Sequence, residues 1–261
     1  MPRSSRRPLR SKLPFAPTAD PLFKWRGTGV SRLEGLADAV FAFTVTLLVV
    51  ALEVPRDFGD LIRAMEGFPA FAATFAMLMW FWGVHYTFFR RYGLEDGLTR
   101  FLNIMILLLV VFMAYPLKFL LSSAFATYFG LGETVFVLNS IQELSQLYIL
   151  YGLGLGGVWF CYFLLYWRAY KLRNELRLDA VERILTRGTM CEILANVTVS
   201  LISICLASLQ KFAWQPGVVY MLVGPLMGSI GWWHATQAEK LHAAKPPRRR
   251  RGRRSDANEP A

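Results

Sequence analysis

Six stretches of the chain run apolar for about the length a bilayer core demands, roughly 20 residues of helix. They are Asp38 to Ala51 with its flanks, Ala70 to Phe89, Phe101 to Leu117, Leu144 to Trp167, Ile193 to Leu209, and Phe212 to Gln237. Short segments of strict apolar and polar alternation, the mark of a membrane barrel, do not occur. The pattern predicts an all-α integral membrane protein with six transmembrane helices. Between the third and fourth spans, "SSAFATYFGLGETVFVLNS" is half apolar and is expected to form a short re-entrant or interfacial hairpin. Between the fourth and fifth, "RAYKLRNELRLDAVERILTRGT" alternates charges at helical spacing, which predicts a cytoplasmic helical extension.

Lysines and arginines concentrate in cytoplasmic loops, so their placement sets the orientation. All of the 29 basic residues except Arg56, Arg63, Lys118 and Lys211 fall before the first span, in alternate loops, or after the last span. Both termini are therefore expected in the cytoplasm, in a multi-pass protein of the cell membrane. The leader "MPRSSRRPLRSKLPFAPTAD" is rich in Pro, Ser and Arg and reads as disordered. The first apolar run starts late and is too long for a signal-peptide core, so it works as an anchor. The expected division is a disordered basic segment over 1–30, a six-helix membrane domain over 31–240, and a disordered polybasic tail over 241–261.

With 54% of 261 residues hydrophobic, the chain is too apolar for an ordinary soluble domain. Its net charge of +11 is mostly the topology signal just described. The tail "KPPRRRRGRR" reads first as a solvated extension, next as a contact for anionic inner-leaflet lipid, and last as a nucleic-acid contact. Enzyme chemistry has little to stand on. His85, His234 and His242 show no metal-ligand spacing, and no nucleophile elbow or phosphate loop occurs. The run "GLGLGG", Gly152 to Gly157, lies inside an apolar span with no strand before it, so small residues for close helix packing are the better reading. Cys161, Cys191 and Cys205 form no CxxC pair and read as packing residues. The chain is expected to be no enzyme and to carry no cofactor or metal.

Ionisable groups inside a membrane are costly and are usually paired or functional. Here Asp38, His85 and the uncharged Asn103 lie near the cytoplasmic ends of the first three spans, at one depth with Arg32, and Trp82 shares a helix face with His85. The set reads as a structural network joining three helices, ahead of a proton relay. On the first span, Leu36, Ala39, Phe43, Thr46, Leu47, Val50 and Val54 share a sector of about 100° while Asp38 points away. In a monomer that stripe would face lipid or packing partners; in a symmetric oligomer it could line an axis. Periodicity does not choose between them.

The residues carrying these features resemble the transmembrane protein 175 family, the lysosomal potassium channels and their bacterial relatives. That family's first helix has an Arg, three residues, Phe-Ser-Asp, seven residues and a Thr. Arg32, "LAD" from Leu36 to Asp38, and Thr46 stand at those positions here. The likeness continues in "WGVH" from Trp82 to His85, and in Asn103 and Pro116. The second half of the chain matches in general character only. Leu36 and Ala37 replace the motif's Phe and Ser, which removes one hydroxyl, and Phe43 is larger than the Ile or Leu usual at its position.

The resemblance implies a homotetramer whose first helices line a potassium-conducting pore. Its constriction would be rings of apolar side chains, with Phe43 the main bottleneck, Leu47 and Val50 outward of it, and Thr46 supplying hydroxyls. Arg32, Asp38, Trp82, His85 and Asn103 would match the family's interhelical network. Four phenyl rings at one level could close the axis by dewetting, or rotate to admit a partly dehydrated ion. The function so implied is a leak-type, potassium-permeable cation channel. The competing readings are a proton-coupled small-solute transporter using Asp38 and His85, and a non-conducting membrane scaffold.

Overall fold

The computed structural model describes residues 22–27, 29–50, 55–131, 140–211 and 215–243. Among these residues every regular element is helical: α1 (Arg32–Val50), α2 (Phe58–Glu66), α3 (Phe68–Tyr92), α4 (Gly97–Phe129), α5 (Ile141–Lys171), α6 (Ala180–Ser208), α7 (Gln215–Val218), a 3₁₀ turn (Val219–Leu222) and α8 (Val223–Ala243). Five of them, α1, α3, α4, α5 and α6, are long and apolar enough to cross a membrane.

The stretch expected as the sixth span is built differently. Instead of one helix over Phe212 to Gln237, the described part breaks into α7, the 3₁₀ turn and α8. Pro216 and Pro225 each remove a backbone donor that a continuous helix would need. The region expected as a hairpin also differs, because α4 runs on through "SSAFATYF" to Phe129. Residues 132–139 lie outside the described part. In the charged connection, α5 extends to Lys171 and α6 starts at Ala180, with a turn between them.

The helix ends follow from local chemistry. α1 and α6 each begin with a capping box, "SRLE" and "DAVE". Ser31 Oγ accepts from Glu34 N at 3.2 Å while Glu34 Oε2 accepts from Ser31 N at 2.8 Å. Asp179 and Glu182 exchange the same pair of bonds, both at 2.9 Å. Pro69 opens α3, where a missing N–H costs nothing. Gly93 ends it with φ 59°, a left-handed conformation that a side chain would strain.

α4 packs on α1, α3 and α5; α5 packs on α4 and α6; and α6 packs on α8. Where α3 meets α5 the core is aromatic. Phe88 and Tyr92 pack on Tyr166 with ring centroids 5.2 and 5.7 Å apart, and Phe81 meets Trp159 at 5.3 Å. Tyr162 is fully buried and donates to the Phe81 carbonyl at 2.8 Å, so its hydroxyl is satisfied in the apolar interior. On α5, Gly152 faces α6 and Gly154 faces α4. A Cβ on Gly152 would stand 2.4 Å from Ile204 Cγ1, and one on Gly154 2.1 Å from Met113 Sδ. Gly152, which also meets the Ser200 carbonyl, therefore sets how closely α5 and α6 approach, while at Gly154 the flexible Met113 side chain fills the space.

The basic leader expected over 1–30 lies largely outside the described part, but Leu22 to Gly27 pack on the bundle. Phe23 is buried, with the Arg91 guanidinium 4.9 Å from its ring centroid. Arg26 reaches Glu182 at 2.7 Å, and Arg26 N and Gly27 N both donate to the Arg90 carbonyl.

Candidate functional site

Two faces of α1 can be told apart by burial. Ala37, Phe41, Thr44 and Leu48, spaced three or four residues apart, are buried where the helix packs on α3 and α4. The other flank is bare: Leu36 is 48% exposed, Phe43 58%, Leu47 42% and Val50 71%. Ala39 and Thr46 are exposed with them. Thr46 Oγ1 donates to the Ala42 carbonyl at 3.0 Å, which commits its proton and leaves the oxygen lone pairs to accept from, or bind, something outside the helix. Val54 lies outside the described residues.

The polar residues fall into two pairs. Trp82 Nε1 on α3 donates to Asp38 Oδ1 at 2.8 Å, tying α3 to α1. His85 Nε2 stands 2.6 Å from Asn103 Oδ1, a hydrogen bond that ties α3 to α4. His85 is buried, and Phe41 of α1 meets it edge-on with centroids 6.1 Å apart. Between them the contacts join α1, α3 and α4. Arg32 is not part of this arrangement: it is exposed at the start of α1 and makes no ion pair with another described residue.

A second layer of contacts, formed by residues outside the motif positions, holds the same helix ends. Glu34, one turn into α1, is buried with its Oε1 3.5 Å from Arg90 Nε at the end of α3. Arg90 also donates to the Gly29 carbonyl at 3.0 Å. Glu182, at the start of α6, accepts from both η nitrogens of Arg26 and from Lys24 N. Asp96, between α3 and α4, takes Arg168 Nε and Nη2 on its Oδ2 at 3.1 and 3.0 Å and also accepts from Thr99. Partial burial pushes the Asp96 carboxyl up, but the bonds from Thr99 and Arg168 and the Arg168 charge hold it below its usual value. The available signal was the capping-box spelling at Glu34 and Glu182, with arginines at the facing span ends.

Among the described residues no three His, Cys, Asp or Glu side chains gather as a metal site. What the arrangement offers is a positioned helix. Its inner face is packed, its start is fixed by hydrogen bonds, and its apolar flank is left exposed by the other described residues.

Residues 32–114, which contain α1, α3 and the polar pairs, match the family model described as endosomal/lysosomal potassium channel TMEM175. A Marivirga tractuosa protein named potassium channel is 35% identical over 233 residues, covering 85% of this chain and 94% of that one. Among solved structures, a crystal structure of a variant of the potassium channel MtTMEM175, bound to a nanobody fusion, superposes with a TM-score of 0.72 at 33% identity, covering 83% of this chain and 98% of that one. A lysosomal potassium-selective channel TMEM175 homolog from Chamaesiphon minutus shares the fold at 19% identity, with a TM-score of 0.51 over 79% of this chain and 96% of that one.

Proposed function

Because the chain belongs to the TMEM175 family of potassium channels, we propose that it is a leak-type, potassium-permeable cation channel assembled as a homotetramer, with the bare flank of α1 lining the pore. The observation that carries this reading is the exposure of Phe43, Leu47 and Val50 on a helix whose other face is packed and whose start is anchored. Four copies of that flank around one axis would form successive apolar rings, with Phe43 the narrowest and Thr46 presenting hydroxyl oxygens beside it.

An apolar ring penalises the loss of ion hydration, and potassium gives up its water more readily than sodium. Flux then runs passively down the electrochemical gradient, with modest selectivity because no carbonyls replace the lost water. The subunit would cross the cell membrane six times with both ends in the cytoplasm, α8 being the last crossing, and the polybasic tail would lie near anionic lipid. Asp38 and His85 act as supports for α1. This role is favoured over proton coupling by the burial of His85 and the commitment of its ring nitrogen to Asn103.

The test is potassium flux through liposomes holding the purified protein. Phe43→Ala should raise flux severalfold and narrow the preference for potassium over sodium, with Phe43→Ile intermediate. No flux in the native protein or in either variant would remove the pore assignment.

A further inference from the structure

Away from α1, helices α5, α6 and α8 leave a groove of about 470 Å³ between them, a size within the range of small-molecule sites. Its lining is mostly apolar, and its polar side chains gather toward one end, apart from His234 beside Trp233. At the end that carries the α5–α6 connection stand Tyr170, one residue before the end of α5, Arg187, two turns into α6, and Gln237, near the end of α8. One to two turns deeper along the same three helices stand Phe163, Leu194 and Trp233. Leu194 is 47% exposed and Trp233 55%, so the apolar end is open to the surroundings of the bundle.

The polar end carries unbalanced positive charge. Arg187 Nε donates to Tyr170 Oη at 2.6 Å, and its guanidinium lies 5.1 Å from the centre of that ring. The Arg173 guanidinium sits 5.0 Å from the centre of the same ring and donates to the Tyr170 carbonyl. Neither arginine forms an ion pair with a carboxylate of another described residue, and the η nitrogens of Arg187 carry no hydrogen bond to one. The carboxylate of Glu192, on the same helix, lies against Gly231 instead. Two cations thus lie against one aromatic side chain, and Arg187, the one that lines the groove, keeps planar donors that suit a phosphate.

We propose that this groove binds an anionic phospholipid, with its phosphate on Arg187 and an acyl chain running between Phe163, Leu194 and Trp233. The order of polarity along the groove is that of a lipid entering from the headgroup layer, and the charge selects a headgroup with a net negative charge. A soluble anion would use the arginine but leave the apolar end empty. The site needs only that the bundle spans a bilayer, and it stands or falls separately from the pore. On the proposed orientation it belongs to the cytoplasmic leaflet.

The experiment uses the full chain reconstituted in vesicles of phosphatidylglycerol and phosphatidylcholine, extracted into detergent, with retained lipid counted by native mass spectrometry. The native protein should retain phosphatidylglycerol in preference to phosphatidylcholine. Arg187→Gln, which removes the positive charge and the guanidinium donors, and Leu194→Trp, which fills the apolar end, should each cut retention about tenfold at unchanged helical circular dichroism. Arg187→Lys, which keeps the charge but not the planar donors, should fall between the native protein and Arg187→Gln, and Arg63→Gln, on α2, should keep all of it. Native retention in both groove variants, equal retention of the two lipids, or an equal loss in Arg63→Gln would each overturn the assignment.

Discussion

Asp38 sits on the exposed side of an apolar helix, yet its carboxylate is not left to the surroundings, because the Trp82 indole donates to it across the α1–α3 contact. Trp82→Phe keeps an aromatic ring at the position while deleting that donor and the second ring of the indole. It should lower thermal stability in detergent by about 1 to 2 kcal/mol, and Asp38→Ala by at least as much; unchanged melting in both would show that the bond contributes nothing. Asp96 gives a test in pH. Its carboxyl is held below the usual value in the folded protein, so its ionised form is worth more folded than unfolded. That stability is present above the unfolded carboxyl value near 4 and is lost as pH falls below it through the folded value. Comparing native protein with Asp96→Asn from pH 7 to pH 3 should show the native advantage shrinking only at the acid end. A gap that stays constant across the range would remove the role assigned to Arg168 and Thr99.

The helices are held at their starts as much as along their lengths. Glu34 and Glu182 each close a capping box as its fourth residue, and each also faces an arginine from another segment. Glu182→Gln keeps an acceptor for the cap but removes the charge opposite Arg26. With the Glu182 side chain 1% exposed and that of Arg26 19%, the loss should be about 3 kcal/mol, at the low end for a buried pair because Arg26 keeps some contact with water. Glu182→Ala should cost more, and chemical unfolding of both variants would rank them. Hydropathy reads α1, α3, α4, α5 and α6 well because each carries one long apolar run. It misplaces the sixth because Pro216 and Pro225 leave the apolar composition intact while interrupting the backbone ladder. It also takes the end of α4 for part of a re-entrant or interfacial hairpin, since the polar and small residues of "SSAFATYF" lower the signal without breaking the helix.

For the whole molecule, the first half of the chain was more readable than the second. Motif spacing around Asp38, Trp82, His85 and Asn103 singles out residues that come within hydrogen-bond reach in pairs. It cannot tell that Arg32 stays apart, because sequence distance along one helix says nothing of which neighbour is near. Nor does it show that Phe23, Arg26 and Gly27 tie the segment before α1 to α3 and α6, since that contact joins Arg26 to a residue more than 150 positions away. The aromatic core between α3 and α5 is equally silent in the sequence, where its members read as ordinary membrane residues. The bare flank of α1 was readable as a stripe, and burial adds that the other described residues of the subunit leave it exposed.

On the fourfold reading, that uncovered flank makes the subunits answerable for one another. If a copy carrying a plugging substitution at position 43 is expressed in equal amount with the native chain and the two mix freely, only about one assembly in sixteen would be free of it. Conduction in such cells should fall far below half, a poisoning that independent conducting monomers would never display.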